Sequence, residues 1–68
     1  MIEDHEFWPL KQVMQRVGLS KSEIYRRMAE GRFPVARPYG QGSTKRFWLA
    51  SEIRAWQADL LGDHHPID

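Results

Sequence analysis

The chain of 68 residues has no cysteine, which excludes disulfides, thiolate zinc sites and a cysteine nucleophile, and leaves the redox compartment unreadable from cysteine usage. Long hydrophobic runs are also missing: none approaches the roughly 20 residues of a membrane span. The acidic start, with Glu3, Asp4 and Glu6, is unlike a signal peptide, so a cytoplasmic location with no membrane partner is expected. A chain this short builds one modest core and has little room for a deep catalytic cleft. The expectation is a single domain over 1–68, with its core in 7–61 and short flexible ends, acting as a binding module without a cofactor and not as an enzyme.

Net charge is nearly absent too, at +1, but its distribution is uneven. All ten Lys and Arg residues lie between Lys11 and Arg54, where only Glu23, Glu30 and Glu52 oppose them, which leaves +7 in the middle and the remaining six acids at the two ends. A basic centre with acidic tails is the electrostatic footprint of a surface that neutralises phosphates.

The basic segment carries a local pattern. Leu10, Val13, Met14 and Val17 recur at i, i+3, i+4 and i+7, the apolar stripe of a first helix starting near Pro9, and Gly18 breaks it. Ser20 then fits an N-cap, with Glu23 three residues on completing a capping box and Leu19 and Ile24 placed for a hydrophobic staple. Gly31 supplies an exit with positive φ and Pro34 blocks continuation. Two short helices joined by about three residues including a glycine are the signature of a helix-turn-helix.

Downstream, Val35 to Leu49 reads as a hairpin: Arg37-Pro38-Tyr39 and Thr44 to Trp48 form two short strands around the turn Gly40-Gln41-Gly42-Ser43. This is a candidate wing over 36–48. Such a ribbon is marginal alone, so some of Tyr39, Phe47 and Trp48 must face the core. That leaves Arg37, Lys45 and Arg46 for phosphates or a minor groove. The two wing glycines do not make a phosphate loop, because neither a dinucleotide fingerprint nor a Walker motif is present. A third helix follows, with Ser51 as the expected N-cap, Ile53, Trp56 and Leu60 as its apolar stripe and Gly62 as its stop. These residues, with Trp48, are expected to pack against Val13, Val17, Ile24, Met28 and Phe33. The fold class is therefore mainly α with a small β-hairpin: a winged helix-turn-helix of three helices and a two-stranded wing.

At 100° per residue, Ile24 and Met28 define the buried face of the second helix, over 20–30. Ser22 and Arg26 then lie opposite, flanked by Lys21, Tyr25 and Arg27. Arg26 has the planar fork that reads a guanine edge, while Lys21, Ser22 and Tyr25 reach phosphates or nearby bases from the N-terminal turn. Tyr25 can equally be a boundary residue beside Met28, and Arg27 reads as a stem lying over the core with its head in water.

The run Gly18-Leu19-Ser20-x-Ser22-x-Ile24-Tyr25-Arg26, followed by Gly31-x-Phe33-Pro34, Trp48 and Ser51-Glu52-Ile53-x-Ala55-Trp56, resembles the AlpA family of small phage and prophage regulators over about residues 7 to 61. The resemblance implies a winged helix-turn-helix shared with MerR-like domains and phage excisionases. It implies binding to promoter or attachment-site DNA of mobile elements, with RNA polymerase or a recombinase as protein partner. By position, Lys21, Ser22, Tyr25 and Arg26 fall on that family's recognition helix and Arg46 in its wing. One departure stands out: Phe47 occupies the place before the wing tryptophan where the family often has arginine, and a one-residue shift on a strand swaps faces. The chain lacks the long C-terminal helix of MerR-type dimers, so self-association through the domain or side-by-side copies on DNA are expected. Three other readings are kept. One is an architectural role in excision or packaging, and another is a protein-interaction module using Phe7, Trp8, Tyr25 and the acidic N-terminus. The third, a metal or hydrolytic site at His5, His64 and His65, lacks helical ligand spacing.

Overall fold

The computed structural model describes residues 5–62. It contains β1 (Phe7–Pro9), α1 (Leu10–Val17), α2 (Lys21–Ala29), β2 (Arg37–Pro38), β3 (Arg46–Leu49) and α3 (Ala50–Leu61), the three helices and wing of a winged helix-turn-helix.

The turn between the first two helices follows the local chemistry of its residues. Gly18 closes α1 in the left-handed region at φ 72°, donating its N–H to the Met14 carbonyl at 2.8 Å, a conformation that costs glycine least. Ser20 caps α2, accepting from the Glu23 N–H at 3.2 Å. Only half of the expected capping box forms, because the Glu23 carboxylate goes to Arg26 and Arg27 instead. At the far end, Gly31 donates to the Met28 carbonyl at 3.1 Å and Arg32 to the Arg27 carbonyl at 2.8 Å, the paired bonds of a Schellman motif.

The sheet has one more strand than the hairpin predicts. Its order is β1-β3-β2, antiparallel throughout, with Trp8 opposite Trp48 and Arg37 opposite Phe47. The added strand β1 gives β3 a partner on each side and brings Trp8 into the core, so the docking role considered for Trp8 is excluded by its burial. Because side chains alternate across a strand, Trp8 and Trp48 face the helices. Phe47 faces the other way, stacking on Phe7 at 4.2 Å between ring centres and tilting against Tyr39 at 4.8 Å. Tyr39 itself is half exposed and is no core residue.

Trp8, Val13, Ile24, Phe33, Ala36, Trp48, Ala50 and Ile53 form the buried core, with Leu10, Met14, Val17, Leu19, Met28 and Trp56 packed around it. Two indole N–H groups tie the loop after α2 to this core: Trp48 donates to the Pro34 carbonyl at 2.9 Å and Trp56 to the Arg32 carbonyl at 3.0 Å. Phe33 is held edge-on between these two rings.

Two expectations for α3 are corrected. The helix starts at Ala50, with Leu49 and not Ser51 at its N-cap. The chain passes directly from β3 into α3, and the Ala50 N–H is satisfied by the Glu6 carbonyl at 2.9 Å, so a first-turn donor is met by the β1 edge without a side-chain cap. Leu60 continues the i+7 spacing but is 66% exposed and stands outside the core. The acids and histidines at 1–4 and 63–68, and the expected flexible ends, lie outside the described residues.

Candidate nucleic-acid interface

Between α2 and the wing runs a cleft whose rim is basic. Lys11 reaches it from the first turn of α1, Lys21 and Tyr25 from α2, and Tyr39, Thr44, Lys45 and Arg46 from the wing, with Pro9 and Leu10 completing the lining. Lys21 and Tyr25 are four residues apart and so share one strip of α2, the strip turned toward the wing. Tyr25, at 37% exposure, lies at the boundary between core and cleft. The wing side is fixed by Tyr39 donating its N–H to the Lys45 carbonyl at 3.3 Å and by the aromatic cluster of Phe7, Tyr39 and Phe47 behind it.

Four of the seven residues singled out from sequence, Lys21, Tyr25, Lys45 and Arg46, therefore meet in one place. Ser22 and Arg26 occupy the next strip of α2 outward and are exposed. The Arg26 guanidinium is paired with Glu23, which also accepts from Arg27 Nε at 3.0 Å. These bonds, from Arg26 first and Arg27 second, hold the Glu23 carboxyl below its ordinary value of 4.5 and push Arg26 upward from its own. Arg27 has the low exposure, 23%, of the expected stem over the core, but its head goes to Glu23 and not simply to water.

Arg37 departs from expectation. Its Nη2 donates to Glu52 Oε2 at 2.6 Å, and it lines a separate groove with Arg32, Pro34, Glu52 and Trp56. It is thus neither unpaired nor in the basic cleft, because an α3 carboxylate fifteen residues away in sequence takes it. Conversely, Lys11 and Tyr39 belong to the cleft although sequence reasoning passed over them. Lys11 is the first cation of the basic segment and follows the Pro9-Leu10 start of α1, which was the available signal. Tyr39 was one of three wing aromatics of which some were expected to face the core, and nothing in the sequence singled it out for the cleft.

The departure noted at Phe47 has a structural counterpart: that position is buried beneath Phe7 and Tyr39, while Arg46 at the start of β3 remains exposed. Among the described residues no group of three His, Asp or Glu side chains is placed to hold a metal ion, and no helix is long and apolar enough to cross a membrane.

Residues 7–61 match the family described as Prophage CP4-57 regulatory protein (AlpA). The chain belongs to the AlpA family. The match runs from the first residue of β1 to the last of α3, so it takes in both helices of the helix-turn-helix and the whole wing. The uncharacterized protein ORF88 of Enterobacteria phage P4 is 37% identical over 60 residues, covering 88% of this chain and 66% of the phage protein. This chain thus spans slightly less than two thirds of that relative's length. No solved structure matches this chain. The family carries the description of a prophage regulatory protein, and the fold of this chain is of the helix-turn-helix kind.

Proposed function

We propose that this chain is a sequence-specific DNA-binding regulator of a phage or mobile element. The N-terminal half of α2 enters the major groove and the wing holds the backbone beside it. The observation that carries this reading is the cleft: Lys11, Lys21, Lys45 and Arg46, from three separate elements, line one concave strip beside an exposed helix N-terminus. Cations so arranged can follow a run of phosphates. The first turn of α2 adds unpaired backbone donors and the positive end of the helix dipole. Ser22 and Arg26, one strip outward, are placed to meet base edges when the cleft tracks the backbone.

Selection of bound duplexes from a random library at moderate salt tests this directly, followed by affinity measurements on the enriched sequence across a salt series. The expected result is a recovered motif, single or repeated, with a steep salt slope; repeat spacing then reports whether copies associate on DNA. Absence of enrichment together with little salt dependence overturns the DNA reading.

A further inference from the structure

Arg26, the residue of α2 with the chemistry to read a base, is held by another side chain. Its Nη2 donates to Glu23 Oε1, and Arg27 Nε donates to Glu23 Oε2 at 3.0 Å. Exposure orders the three: Arg27 is the least exposed at 23%, Glu23 is at 28%, and Arg26 is open at 59%. The half-covered Arg27 fixes the carboxylate, and the carboxylate fixes Arg26. By helical angle, Glu23 and Arg27 share a strip on the side of Arg26 away from Lys21 and Tyr25. The pairing therefore draws the Arg26 head away from the cleft cations.

This arrangement has two physical consequences. A lone arginine at the rim takes any phosphate it meets, whereas one already bonded to an ionised carboxylate must give up a charge-assisted bond to do so. With one edge engaged, the guanidinium is held in a fixed orientation and its remaining donors still match the paired acceptors O6 and N7 of guanine. Building on the DNA-binding reading above, we propose that Glu23 is a positioning and specificity-determining residue: it withholds Arg26 from phosphates and presents its guanidinium as a fixed fork to a base edge. The low pKa direction of Glu23 agrees, since the carboxylate stays ionised at neutral pH.

The test compares the unaltered chain, Glu23→Gln, Arg26→Ala and the double variant on two probes, the duplex recovered by selection and a random-sequence duplex of equal length. Glutamine keeps a residue compatible with the third helical position, and the Ser20 cap uses the backbone N–H of residue 23, so the fold is retained and a thermal melt verifies it. For Glu23→Gln, affinity for the random duplex rises, its salt slope steepens by about one phosphate contact, and the ratio of selected to random affinity falls about tenfold, the scale of one lost base contact. Arg26→Ala lowers the ratio without the gain on random DNA, and the double variant matches Arg26→Ala alone, as expected when one residue acts through the other. An unaltered ratio in Glu23→Gln, with the unaltered chain still discriminating, overturns the role of Glu23 and leaves the DNA reading standing. A double variant that discriminates less than Arg26→Ala overturns action through Arg26. Absence of discrimination by the unaltered chain overturns both.

Discussion

Replacing Lys45 and Arg46 together by alanine removes the wing's half of the basic rim, and its effect can be worked out from the cleft. Four cations line it: Lys11, Lys21, Lys45 and Arg46. If each meets one phosphate, the slope of log affinity against log salt on duplex DNA is about −3.6, and two contacts fewer leave about −1.8. Between about 50 and about 200 mM salt, binding to a random duplex then weakens roughly 150-fold for the unaltered chain and roughly 12-fold for the double variant. Fluorescence anisotropy of a labelled random duplex across that range gives both slopes. Arg37→Ala is the matched control, also removing a positive charge, but from a residue that pairs with Glu52 at 2.6 Å and lines another groove. Its slope stays that of the unaltered chain. Equal slopes for Lys45→Ala/Arg46→Ala and the unaltered chain, or a flattening by Arg37→Ala as large as by the wing pair, refutes the placement of the phosphate path in the cleft.

Other consequences concern bases, caps, core and pH. Arg26→Ala loses discrimination at one base position at a cost of about 1–3 kcal/mol, read by competition between single-base variants of the selected duplex. Ser20→Ala removes the acceptor for the Glu23 N–H and costs about 1 kcal/mol in urea unfolding. Ile53→Ala, at a fully buried position, costs about 2–5 kcal/mol, whereas Leu60→Ala, exposed on the same helix, stays within about 0.5 kcal/mol. Thermal melts across pH report on Glu23: its folded pKa lies below the ordinary 4.5, so its contribution is complete above that value and is lost as pH falls through the lowered one. Glu23→Gln is expected to remove that part of the acid dependence.

The helix-turn-helix was legible because each of its signals is local. The Gly18 exit, the Ser20 cap and the Gly31 stop are all set by neighbours within a few residues, and each took the conformation its chemistry favours. The features that escaped depend on contacts between distant residues. Phe7–Pro9 is too short, and too burdened by proline, to show a period of two; it is a strand only because Trp8 lies opposite Trp48 across forty residues of chain. The same pairing moved the start of α3, since the Glu6 carbonyl meets the Ala50 N–H and no serine cap is called for. Arg37 looked available because its partner Glu52 sits on another element, and Lys11 joined the cleft because α1 begins where β1 ends. Sequence thus located the cations, and long-range contacts, the pairing of β1 with β3 and of Arg37 with Glu52, decided which of them stand together.

The most direct test of the central claim, that α2 and the wing present one DNA-facing surface, is an amide chemical-shift titration of the labelled chain with the selected duplex. The account predicts that the largest changes fall on Lys11, on Lys21 to Arg26 and on Tyr39 to Arg46, with Val35 and the α3 residues Glu52, Ala55 and Asp59 little moved. Changes concentrated on that second group, in the groove that holds Arg37, with the cleft residues unmoved, contradict it.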